Sequence, residues 1–141
     1  MFRRLDDRTL AAPQITSAQL ADAKAAGVTL VINNRPDGEA PDEPQGAEIE
    51  AACGREGLGY LAIPVGHGGF SVAQVGAMAD ALAGASGTVL AYCRSGTRST
   101  YLWALARAKS GDDPARLAEQ AAQAGYDLAP VAQLMAMLRA R

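Results

Sequence analysis

Cysteine and histidine are scarce in this chain, and the few present are not spaced to hold a metal. Cys53, Cys93 and the lone His67 form no ligand pattern, so neither a metal nor an organic cofactor is expected. Charge of one sign is also lacking. With 13 Lys and Arg against 15 Asp and Glu, the net charge of −2 offers no basic surface to nucleic acid. No apolar run approaches a membrane span, so no membrane partner is expected. The N-terminal MFRRLDDRTL has arginines but no apolar stretch behind them, and so does not read as a secretory signal. A reduced, cytoplasmic setting is the expectation. No repeat or linker divides the 141 residues, which read as a single domain over 1–141, long enough to bury a core unaided.

What the chain does have is short Val/Leu/Ile runs alternating with alanine-rich blocks. RTLAAPQI reads as an irregular strand with Pro13 on an edge or bend. TSAQLADAKAAG reads as a helix with a Thr16/Gln19 capping box and a stop at Gly27. VTLVIN (28–33) is a strand covered on both faces. The Pro/Gly/acidic stretch 34–46 is a long surface loop, which makes it a candidate functional element; its acidic part, 37–43, is expected to be solvated. AEIEAACGREG is a helix ending at Gly57, LGYLAIPV a strand, GHGG a loop, and SVAQVGAMADALAG a helix capped by Ser71. TVLAY (88–92) is the next strand. STYLWALARAKSG, DPARLAEQAAQAG with Asp113 as cap, and LAPVAQLMAMLRAR are helices. Strands alternating with helices predict an α/β fold, a mostly parallel central sheet with helices on both faces.

In such sheets ligands sit beyond the carboxyl ends of the strands. The segment TVLAYCRSGTRST places Cys93 there, followed by a short loop and a helix start. Arg94, Ser95, Gly96 and Thr97 form the candidate anion-binding loop. Gly96 permits close backbone approach, and the helix N-terminus adds partial positive charge. A thiol beside a helix N-terminus and arginines is expected to ionise, which makes Cys93 a candidate nucleophile. Arg98 can present a planar fork to an oxyanion. Ser99 is expected to hydrogen-bond the sulfur and help it leave. The competing reading, a buried structural cysteine with solvated arginines, leaves this strand–loop–helix context unexplained.

YCRSGTRS resembles the active-site loop of cysteine-based phosphatases and rhodaneses. With INNRPDGE, the Tyr60–Val65 segment YLAIPV, LWALA and AGYDL, the whole chain resembles the phosphatase-like domain family of the β-lactamase-hydrolase-like proteins, a bacterial family that also carries a sulfurtransferase-type label. The resemblance implies a dual-specificity-phosphatase type of fold, Cys93 as nucleophile and Arg98 as the anion-binding arginine. Two departures stand out. Tyr92 replaces the histidine that precedes the cysteine in dual-specificity phosphatases. Four residues rather than five separate Cys93 from Arg98, a rhodanese-like length.

Those phosphatases carry an acidic residue just after the I-P-V strand, where this chain has Gly66, His67, Gly68 and Gly69. His67 is one candidate general acid, or an exposed loop histidine. Asp37 is the other, or a former of the Pro-Asp-Gly turn. Arg35 either contacts substrate or pairs with a nearby carboxylate. Cys53 is expected in the core; a redox role would need it to approach Cys93. Trp103 and Leu102 are expected to pack on the sheet, and Met135, Met137 and Leu138 to pack in the core or an interface. The expected partner is a small anionic substrate, a phosphorylated or persulfidated molecule, with a separate metallo-hydrolase as a candidate protein partner. Hydrolysis of a phosphomonoester through Cys93 is the expected activity. The alternatives are a sulfurtransferase carrying a Cys93 persulfide and a non-catalytic anion-binding module.

Overall fold

The computed structural model describes residues 2–140. Five strands form one sheet in the order β1-β2-β5-β3-β4. They are β1 (Arg3–Asp6), β2 (Thr9–Ala12), β3 (Val28–Asn33), β4 (Gly59–Ala62) and β5 (Thr88–Tyr92). Only β1 runs antiparallel, against β2. The β2/β5, β5/β3 and β3/β4 pairs are all parallel. The helices are α1 (Leu20–Ala25), α2 (Gly46–Glu56), α3 (Val72–Gly84), α4 (Thr97–Lys109), α5 (Pro114–Gln123) and α6 (Ala132–Arg139), with short 3₁₀ turns at Ser17–Gln19 and Ala129–Val131.

Period-two alternation divides the core. Leu10, Ala12, Val31, Leu90 and Tyr92 face one side, where Leu20, Ile49 and Cys53 of α1 and α2 meet them. Ala11, Ile32, Val89 and Ala91 face the other, against Met78, Leu102, Trp103, Leu105, Leu117 and Met135 of α3 to α6. Both faces are therefore covered, as the apolar strands require. Local signals set the helix ends. Ser71 Oγ accepts from the Gln74 N–H at 3.1 Å, and Asp113 Oδ1 from the Ala115 N–H at 3.1 Å. Gly57 ends α2 with φ of 75°.

Strand β1 is an addition to the sequence reading. Arg3 and Arg4 are exposed, leaving Leu5 as its one buried apolar residue, so the segment carries almost no hydrophobic signal. Asp6 turns the chain into β2 by accepting the Arg8 N–H at 2.9 Å, and β2 pairs on both sides. Pro13 sits just past its end. The first predicted helix is split into a 3₁₀ turn and a short α1, and β4 stops at Ala62, short of Pro64. The arginine at 141 lies outside the described residues. Met137 is 54 % exposed, whereas Met135 is buried. No helix among the described residues is long and apolar enough to cross a membrane.

The loops after β3 (34–45), β4 (63–71) and β5 (93–96) leave the sheet at its carboxyl edge, and they bring the candidate residues together.

Candidate active site

Cys93 follows the last residue of the central strand and is fully buried. Its N–H donates to Ala12 O at 3.3 Å, which extends the sheet by one bond. The chain then turns at Gly96, whose φ of 90° suits glycine. This turn brings the Gly96 N–H to Cys93 Sγ at 3.1 Å. A second constraint acts at the same position: a Cβ on residue 96 would fall on the Tyr126 hydroxyl and lie 3.4 Å from the Ala12 carbonyl carbon. Ser95 Oγ receives the Thr97 N–H at 3.3 Å and donates to Thr97 Oγ1 at 3.0 Å. Thr100 Oγ1 donates to Gly96 O at 2.8 Å, so the first turn of α4 fastens the loop. That turn supplies backbone N–H groups without intrahelical partners and the positive end of the helix dipole.

Arg98, one residue into α4, is clamped from outside the loop. Its Nη1 donates to Glu39 Oε2 at 2.7 Å and to Val65 O at 2.6 Å, and its Nη2 donates to Glu39 Oε1 at 2.7 Å. The end-on edge of the guanidinium is thus occupied. These contacts leave the Nε–Nη2 edge clear of carboxylate and carbonyl partners, on a side chain that the Cys93 sulfur lies near enough to influence. The Glu39 hydrogen bond, with the Cys93 sulfur contributing further down, raises the Arg98 pKa above its ordinary value.

Glu39 comes from the acidic loop; it closes the INNRPDGE segment but carries no sequence signal that sets it apart from the loop's other acids. The loop is solvated only in part: Asp37, Gly38, Pro41 and Asp42 are exposed, but two of its carboxylates turn inward. The side chain of Glu39 is 14 % exposed and that of Glu43 2 %. Arg35 Nε donates to Glu39 Oε1 at 2.9 Å, and Arg35 Nη1 to Gln14 Oε1 at 2.9 Å, so Arg35 pairs with local acceptors. The Arg98 hydrogen bond foremost, with help from Arg35 and against the cost of burial, lowers the Glu39 pKa to about 2. Glu39 is therefore a fixed negative charge at physiological pH.

Ser99 requires a correction. Its hydroxyl donates to Asn34 Oδ1 at 2.8 Å and not to the sulfur. Asn34 Nδ2 in turn donates to Ile63 O at 3.0 Å. Ser99 therefore ties α4 to the loops after β3 and β4, and its proton is committed there. Asp37 Oδ1 accepts the Gly46 N–H at 2.7 Å and so anchors the start of α2. His67 is 91 % exposed at the side chain, with Nε2 3.9 Å from Glu39 Oε2. Arg94 is exposed, and its carbonyl accepts the Gln14 N–H at 3.3 Å. Tyr92 points to the opposite core; its hydroxyl is buried without a hydrogen-bond partner, and burial foremost raises its pKa. Cys53 is buried among Leu20, Ile49 and their neighbours, and burial pushes its thiol up to about 11, as suits a core residue. Among the described residues no group of three or more His, Cys, Asp or Glu is placed to hold a metal.

The same architecture occurs in known proteins. A crystal structure from Neisseria meningitidis, provisionally described as a phosphatase, superposes with a TM-score of 0.85, is 30 % identical, and covers 97 % of both chains. TpbA of P. aeruginosa shares the fold at a TM-score of 0.70 and 20 % identity, over 99 % of this chain and 88 % of that one. A beta-lactamase hydrolase-like protein from Agrobacterium fabrum is 35 % identical over 108 residues, 77 % of this chain and 25 % of the relative. A Xylella fastidiosa counterpart is 34 % identical over 107 residues, 76 % of this chain and 25 % of its own length. The matched region thus spans about a quarter of these curated relatives. The profile of the phosphatase-like domain of the beta-lactamase hydrolase-like proteins matches residues 1–110, and the chain belongs to that phosphatase-like family.

Proposed function

We propose that this chain is a cysteine-dependent phosphatase acting on phosphomonoesters, with Cys93 as nucleophile and Arg98 as oxyanion holder. The observation that carries the reading is the Gly96 N–H directed at Cys93 Sγ, beside a guanidinium whose Nε–Nη2 edge faces no carboxylate. The hydrogen bond from the Gly96 amide fixes the sulfur in one position at the base of the loop. The Nε–Nη2 edge of Arg98 can take two oxygens of a phosphoryl group, while Glu39 keeps the side chain in place.

In the first step the Cys93 sulfur attacks phosphorus. An S–P bond forms as the P–O ester bond breaks, and the leaving oxygen takes a proton. His67 is the better placed of the two candidate acids, since Asp37 is engaged at the start of α2. Glu39, ionised by its arginines, is not a proton donor. In the second step water attacks phosphorus, the S–P bond breaks, and inorganic phosphate leaves. The proton lost by the water returns to His67, and the sulfur is regenerated as thiolate.

TpbA has been solved with phosphotyrosine, which makes an aryl phosphate the first substrate to try. The sulfurtransferase alternative draws no support from the relatives and rests on the four-residue loop and on the absence of an acidic residue just after the I-P-V strand. Parallel assays with an aryl phosphate and with thiosulfate plus an acceptor thiol separate the two. The proposal expects turnover of the phosphate ester by the wild type and none by Cys93→Ser. Sulfur transfer without ester hydrolysis would overturn it.

A further inference from the structure

Tyr126 lies in the connection between α5 and α6, beyond the residues matched by the family profile, yet it is built into the loop that holds the sulfur. Its ring is largely buried. Its hydroxyl donates to Ser95 O at 3.3 Å and covers the open face of Gly96. The Ser95 carbonyl and the Gly96 N–H belong to one planar peptide group, so fixing the oxygen fixes the direction of the hydrogen. That hydrogen points at Cys93 Sγ. A donor on the carbonyl also polarises the amide and strengthens its outgoing hydrogen bond.

The other side of the ring is held from the opposite end of the chain. The Arg3 guanidinium carbon lies 5.5 Å from the Tyr126 ring centroid, and Arg3 Nη1 donates to Ala124 O at 2.9 Å. Gly125, with φ of 94°, leaves room for that guanidinium; a Cβ there would collide with Nη1. Arg3, Tyr126, the Ser95–Gly96 peptide and Cys93 thus form one continuous stack.

We infer that Tyr126 is a positioning residue for the reaction: its hydroxyl sets the amide that sets the nucleophile, and Arg3 holds the ring in place. This rests on Cys93 being the nucleophile. It makes the α5–α6 connection part of the working site, not only a covering of the core. The charged groups around Tyr126 and Cys93 are Arg3, Arg94 and Arg98, with Glu39 and His67 beyond Arg98; Tyr126→Phe leaves all of them in place, and Arg3→Ala removes Arg3 alone.

The test is the rate of Cys93 alkylation by iodoacetamide at neutral pH, read by mass spectrometry of the Cys93 peptide, with Cys53, equally buried but on the other face of the sheet, as the internal reference. In Tyr126→Phe the ring and its packing stay and only the hydroxyl is lost. The Cys93 rate is expected to fall about five- to tenfold, the worth of one hydrogen bond, with kcat falling in step and KM little changed. Arg3→Ala, which leaves Tyr126 intact, is expected to lower the rate in the same direction by less. Wild-type alkylation rates in both variants would overturn the inference. Wild-type Cys93 reacting no faster than Cys53 would instead overturn the phosphatase reading beneath it.

Discussion

Arg98 and Glu39 are 59 positions apart in the chain and meet end to end, each guanidinium terminal nitrogen 2.7 Å from one carboxylate oxygen. A charge that attracts the arginine would ordinarily compete with a substrate oxyanion for it. Here the carboxylate takes only the terminal edge, and a third bond, from Nη1 to Val65 O, fixes the remaining rotation. Holding a long side chain in one geometry before substrate arrives lowers the ordering cost at the moment of binding. Glu39→Gln should therefore raise KM for a phosphate ester more than it lowers kcat, checked by steady-state kinetics.

The same residue sets an acid limit. The pKa of Glu39 drops from 4.5 to about 2, chiefly through its hydrogen bond to Arg98. A carboxyl whose pKa is lower when folded contributes stability above its unfolded value and loses it as the pH falls through the folded one. Stability should therefore decline as the pH drops from about 4.5 toward about 2. In Glu39→Gln that decline should be shallower, starting from a protein already destabilised by about 1–3 kcal/mol because Arg98 and Arg35 lose a shared partner. Urea titrations of both proteins across the acid range test this.

Ser99 offers a sharper separation of structure from chemistry. Since its hydroxyl serves Asn34 and not the sulfur, Ser99→Ala should cost about 1–3 kcal/mol by stranding a buried amide oxygen, while kcat should change far less than in Cys93→Ser. Denaturant unfolding paired with the phosphatase assay reads both.

Replacing Gly96 by alanine should be severe. The left-handed backbone alone costs about 1–2 kcal/mol for a residue with a side chain, and the added methyl meets Tyr126. Loss of activity should exceed what the fall in melting temperature explains, because the displaced amide is the one bonded to Cys93 Sγ.

His67 and Asp37 should part company. His67→Ala should slow hydrolysis of an alkyl phosphate by about 10²-fold, the usual worth of a general acid, and barely affect an aryl phosphate whose leaving group needs no proton. Asp37→Asn should alter stability with little change in the leaving-group dependence, since its oxygen caps α2. Rate measurements over a series of leaving groups distinguish the two.

What could be read from the chain, and what could not, follows from the range of each interaction. Ser71, Asp113 and Gly57 act on neighbours within a few residues, so the helix ends were legible. Strands β3 and β5 announced themselves by continuous apolar residues, and the position of Cys93 followed from β5. Strand β1 was hidden because an edge strand with two exposed arginines has no hydrophobic pattern. Glu39 looked like one more acid in a solvated loop until the fold brought Arg98 to it. Ser99 reads as a partner of the sulfur six residues before it, whereas its partner, Asn34, is 65 residues away. Tyr126 enters the sequence reading only inside AGYDL, with no role of its own, since its contact with Ser95 depends on how α5 and α6 return across α4.

Hydrolysis by this site requires a covalent bond between sulfur and phosphorus on Cys93, and rapid acid quench of the protein during turnover of an aryl phosphate tests for it directly. Peptide mass spectrometry should find a phosphoryl group on the Cys93 peptide of the wild type and none in Cys93→Ser. Steady turnover of the ester with no phosphoryl group on that peptide, or equal turnover by Cys93→Ser, would contradict it.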